Sequence, residues 1–118
     1  MDVRTAILSW QYAERLKTSI ISVSKMLMSL PDYPKEERTG GRRMLIAIIE
    51  EVRADADTAA ATTGINEFKK VAHSLSEMIS LTESSQFGLA TERAGEGVSA
   101  ATTAAQAAWD VLNNHGIL

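Results

Sequence analysis

The run Met44-Leu45-Ile46-Ala47-Ile48-Ile49 is the longest stretch of this chain built only from apolar residues, and Glu50-Glu51-Val52 closes it. At about 100° per residue, a helix through the run lines up Met44, Leu45, Ile48, Ile49 and Val52 in one broad stripe and sends Ile46 well outside it. A helix apolar over that much of its circumference must be covered from more than one side. The requirement predicts packed helices with more apolar surface than one copy of the chain can bury.

The residues before it support helix over strand. From Asp2 to Leu30 there is no Pro or Gly, and Ala13, Leu16, Ile20, Val23, Leu27 and Leu30 alternate spacings of three and four, the seam of a packed helix. Asp2 suits the positive end of this helix, and Val3, Ile7 and Trp10 are expected to carry its apolar surface in the first turns. Ile21 and Met28 flank the seam and widen it. Pro31 stops the helix, and Asp32 with Pro34 and Glu36-Glu37 reads as a capped restart. So short a turn predicts an antiparallel neighbour.

The second helix is expected to run to Thr63 with Leu45, Ile48, Val52, Ala56 and Ala59 facing inward. Gly40-Gly41 falls inside it, at about 1 kcal/mol per glycine relative to alanine. Either the helix starts near Arg42, or the glycines mark a kink or a close approach; a local distortion is the expectation. Gly64 supplies the stop. Ile65, Phe68, Ala72, Leu75, Ile79 and Thr82 make a third seam, with Val71 and Met78 beside them. Phe87, Ala90, Ala94, Val98, Ala101, Ala105, Ala108 and Leu112 make a fourth, mostly alanine, which lets helix axes come close. Gly116 suits a left-handed cap and Ile117 the contact after it.

The sequence therefore predicts an all-α fold, an antiparallel up-down-up-down four-helix bundle with helices at about residues 2–30, 34–63, 65–84 and 87–114, in one domain spanning 1–118. The third helix is the shortest, and the shortfall leaves part of the fourth uncovered. A homodimer through that gap is expected, with Ile21, Met28, Ile46 and Ile49 as its interface, and a helical protein partner would suit the same kind of surface.

Composition narrows the function classes. A net charge of -3 gives no general attraction to nucleic acid or anionic lipid. The absence of cysteine removes disulfides, thiolate catalysis and cysteine-ligated metals. No window of about 18 apolar residues spans a membrane. The N-terminus lacks the basic-then-apolar order of an export signal, so a cytoplasmic setting is expected.

Catalytic signatures are missing. His73 has Lys69 and Glu77 one turn to either side, which reads as an ion-paired flank; the residue three before it is Lys70, so it does not fit the Glu-x-x-His of bundle di-metal sites. His115 sits where a cation suits a helix C-terminus. Glu50 and Glu51 diverge by about 100°, which prevents a shared acid-base role. Ser22-Val23-Ser24-Lys25 has only the spacing of a Ser-x-x-Lys motif. Neither catalytic residues, nor a metal, nor a cofactor are expected.

Two local features suggest binding. In Lys35-Glu36-Glu37-Arg38-Thr39-Gly40-Gly41-Arg42-Arg43, a helix starting at Gly41 would add free amides to Arg38, Arg42 and Arg43 and make an anion site. Gly40-Gly41 and Gly95/Gly97, at comparable distances from their helix starts, would share one level with Met26 and Met28 and leave either tight packing or a small apolar pocket. Trp10 and Trp109 should share one end of the bundle and become interface candidates if partly exposed. The function expected is a self-associating, non-enzymatic interaction or scaffold protein. The alternative is a small regulator binding a phosphate-bearing ligand or nucleic acid through Arg38, Arg42 and Arg43.

Overall fold

The computed structural model describes all 118 residues and contains four α-helices and no strand. They are α1 (Val3–Ser29), α2 (Lys35–Thr63), α3 (Asn66–Glu83) and α4 (Phe87–Asn114), with a 3-10 turn at Leu30–Asp32 between the first two. No helix is long and apolar enough to cross a membrane.

The helix ends follow local chemistry. The Asp2 carboxylate accepts the Thr5 N–H at 2.7 Å, and that bond holds its pKa below the usual aspartate value. Pro34, not Asp32, is the residue that opens α2, and no side chain caps it. Gly64 (φ 69°) and Gly116 (φ 68°) adopt the left-handed conformation that ends helices, as their positions predicted. Ser85 does the same at φ 59° after α3, where glycine would be less strained.

Close contacts place the helices side by side in a rod of 54 × 22 × 17 Å. Ala6 of α1 packs with Ala108 and Leu112 of α4, and Ile20 lies beside Gly97. Ser74 of α3 meets Gly97, and Glu77 reaches Arg93 at 3.2 Å. Arg15 of α1 bonds Asp55 of α2 at 3.1 Å, while Leu30 touches Gly41. A main core runs through all four helices from Ala13 to Ala105; Phe68 is its largest fully buried side chain, with Tyr12 edge-on at 6.3 Å between ring centroids. Ala6, Ala108 and Leu112 form a separate small cluster beyond it.

Three inward faces differ from the sequence expectation. In the first turns of α1 the buried residues are Ala6 and Ser9, while Ile7 and Trp10 are exposed. On α2, Leu45, Val52, Ala56 and Ala59 are buried as expected, but Ile49 is fully buried in place of Ile48, which is 37% exposed. On α4, Gly97 and Ala104 are buried beside the predicted alanines, and Val98 sits on the flank. On α1 and α4 the shifts share a cause: where these two helices pack together, small side chains occupy the contact and larger ones are displaced outward.

The glycine pair neither starts nor breaks α2, which is helical through both. Gly41 serves close approach, since a Cβ there would lie 2.7 Å from Leu30 Cδ1, whereas a Cβ at Gly40 would meet nothing within 4 Å. Gly40→Ala is therefore expected to stabilise the fold by about 1 kcal/mol, raising the melting temperature by about 4 °C, while Gly41→Ala forfeits that gain by pushing Leu30 from its seat. Equal gains from both in thermal melts would show that the Leu30 contact constrains nothing. Gly41 and Gly97 also do not share a level. Gly41 sits beside Leu30 and Gly97 beside Ile20, about 15 Å apart along α1 at 1.5 Å per residue.

Candidate functional site

The basic cluster splits on α2. Arg38 and Arg42 stand one turn apart with Lys35 a turn before them, and the three line one side of a cleft of about 540 Å³. Arg43, about 100° further round the helix, is exposed and does not line it. The opposite wall is the α3–α4 turn, where Arg42 Nη1 donates to Ser85 Oγ at 2.9 Å and Phe87 and Gly88 open α4. None of Lys35, Arg38 and Arg42 pairs with a carboxylate, and no acid lines the cleft.

The start of α4 contributes to the same cleft. The Phe87, Gly88 and Leu89 amides precede the first helical bond, Ala90 N–H to Gln86 O at 3.0 Å. Gln86 does not cap them with its side chain, whose Nε2 donates to Ser84 Oγ at 2.8 Å. The first turn of α4 carries no acid, unlike those of α2 and α3. The free amides expected at Gly41 are thus absent there, α2 being continuous, and occur at Phe87 instead.

A second cavity, also of about 540 Å³, opens between α1 and α2 beside the 3-10 turn. Met26, Leu30, Tyr33, Met44, Leu45 and Ile48 line it, and Met44 is 67% exposed. Lys25 edges it from α1 and Glu37 from α2, and the two do not pair within the chain. Gly41 is part of the floor, so the Leu30 contact that glycine permits also shapes the groove.

The four residues expected to form an interface are not gathered on one surface. Ile21 (45% exposed) and Met28 (65%) lie on the edge of α1 toward α4. Ile46 is half-buried against the core on the opposite flank of α2 from Met44, one turn after Arg42. Ile49 is in the core and offers nothing to a second copy. The exposed large apolar residues of α2 are Met44 and Ile48, the second of which was expected to face inward. Trp10 is 39% and Trp109 45% exposed, on the two helices that form the small Ala6/Ala108/Leu112 cluster.

A third, shallower cleft between α3 and α4 is polar, with Glu67, Lys70, His73, Ser74 and Glu96 among its residues. His73 Nε2 lies 3.2 Å from Glu77 Oε1 on an open surface. No three His, Asp or Glu side chains converge as metal ligands. Arg93 sits between Glu77 and Glu96 at 3.2 and 3.0 Å; the first contact pairs charges without hydrogen-bond alignment, the second is a hydrogen bond.

Lys35 was legible in the sequence, because Lys35, Arg38 and Arg42 at i, i+3 and i+7 share a helical stripe that excludes Arg43. Ser85 and the α4 amides carried no such mark, since their proximity depends on how the α3–α4 turn meets α2. Compared with known proteins, the chain matches no family model, no curated protein and no solved structure.

Proposed function

We propose that this chain is an antiparallel up-down-up-down bundle acting as a non-enzymatic interaction module, which pairs with a second copy through the groove between α1 and α2. The contacts that pair early α1 with late α4, Ser74 with Gly97, and Arg15 with Asp55 support the alternating direction. The observation that carries the pairing is the groove itself. Its exposed methionines and Tyr33 give an adaptable apolar surface.

Its edges favour a second copy as the occupant. A twofold contact brings residue i of one chain against j of the other, and j against i. A patch with Lys25 on one wall and Glu37 on the other is self-complementary under that operation: each Lys25 meets the other copy's Glu37. Both residues lack a carboxylate or ammonium partner within their own chain.

Light scattering and sedimentation over a concentration series test the reading. A dimer is expected, weakened about 100-fold or more by Met44→Lys, because the substituted residue enters the twofold interface twice. Lys25→Glu and Glu37→Lys should each weaken it, and the double swap within one chain should restore it. Trp10→Lys, on the other exposed surface, should leave it unchanged. A monomer at all concentrations overturns the reading, as does a dimer sensitive to Trp10→Lys and indifferent to Met44→Lys.

A further inference from the structure

The cleft between α2 and the α3–α4 turn has no part in that pairing, and its chemistry is of a different kind. We infer that it is a binding site for the phosphate group of a small ligand, a phosphomonoester or diphosphate, held by Lys35, Arg38 and Arg42.

The charge of the cleft is concentrated and uncompensated. Three cations from one face of α2 enter a volume of about 540 Å³ in a molecule whose net charge is -3, and no carboxylate shares the space. Unpaired basic side chains held together repel one another, and an anion between them relieves that repulsion. Arg38 and Arg42 are half-buried, which restrains their guanidinium groups and reduces screening by solvent. Arg42 is further oriented by its bond to Ser85, leaving its remaining N–H groups as donors.

The opposite wall supplies donors of another kind. The amides of Phe87 and Gly88 have no helical partner, and no side chain caps them. A phosphate between the two walls would accept from guanidinium groups on one side and backbone N–H groups on the other, which matches its several acceptor oxygens.

The same features argue for a small ligand over a nucleic-acid strand. A strand needs a basic track and stacking platforms along several nucleotides. Here the three cations span about two turns of one helix, and beyond them the same helix carries Glu50, Glu51, Asp55 and Asp57. One phosphate or two linked ones fit that extent of charge.

The test uses the full chain with pyrophosphate as the probe, followed by titration calorimetry and by phosphorus NMR linewidth. Saturable binding is expected, weakened about tenfold or more by Arg42→Gln or Arg38→Gln and unchanged by Arg43→Gln, which lies outside the cleft. Circular dichroism checks that each variant stays helical. Affinity should also fall as salt is raised. Absence of binding at millimolar pyrophosphate overturns the assignment. So does binding that Arg43→Gln weakens as much as Arg42→Gln. An oligonucleotide whose affinity grows with its length while pyrophosphate binds only weakly overturns it in favour of a strand. Loss of dimerisation by Met44→Lys leaves these expectations in place, so the two proposals can fail separately.

Discussion

Phe68→Ala is expected to lower the stability by about 4 kcal/mol, the largest effect of any truncation in the chain. Phe68 is the bulkiest of the fully buried side chains, and it stands near the start of α3 where the main core gathers residues from all four helices. Removing the ring discards its transfer free energy and leaves a cavity, because the alanines of α4 are too small to collapse into the space. The edge-on contact with Tyr12 is lost as well. For a chain of this size the loss corresponds to a melting temperature about 15 °C lower. A denaturant titration showing less than about 1 kcal/mol would mean that the ring is not tightly packed in the core.

The second large effect comes from adding volume. Gly97→Leu is expected to destabilise by about 3 kcal/mol, because any Cβ at this position already lies 3.3 Å from Ile20 Cδ1 and 3.5 Å from Ser74 Cβ. Both neighbours are buried, one on α1 and one on α3, so a larger side chain must push α4 away from two helices at once. Gly95→Leu is the control: a Cβ at Gly95 would meet nothing within 4 Å, and the change should cost little. Thermal melts of the two variants side by side decide the matter. Similar melting temperatures would show that α4 does not pack tightly at Gly97.

These two sites mark what could be read in the sequence and what could not. Phe68 was legible, since it falls on a three-four rhythm with Leu75, Ile79 and Thr82 and a bulky apolar residue on such a stripe belongs inside. All four helices and most of their ends were legible for the same reason, helped by Pro31, Gly64 and Gly116. The first turns of α1 were misread because Val3, Ile7 and Trp10 make a stripe of the same period as Ala6, Ser9 and Ala13. Apolarity favours the first stripe, whereas a close crossing by an alanine-rich helix admits only the second.

The run at Met44–Ile49 shows the same limit from the other side. Its apolar circumference was read correctly as too wide for one contact, yet the excess lies at Met44 and Ile48, not at Ile46 and Ile49. Ile48 and Ile49 share that broad stripe, and which of them is buried depends on where the neighbouring helices sit. The basic cleft was half legible for a comparable reason. Its α2 wall is one stripe of one helix, while its other wall is a turn more than forty residues away along the chain.

The pairing of α1 with α4 sets the order in which the molecule can be made. α1 rests more extensively on α4 than on α2, so during synthesis much of its oily side stays bare until the last helix has left the ribosome. A cut near Gln86 that released α4 would not leave a sound three-helix remnant; it would strip the cover from Ile20 of α1 and Ser74 of α3 together. Such a nascent or clipped chain would expose apolar helix faces and be prone to aggregate.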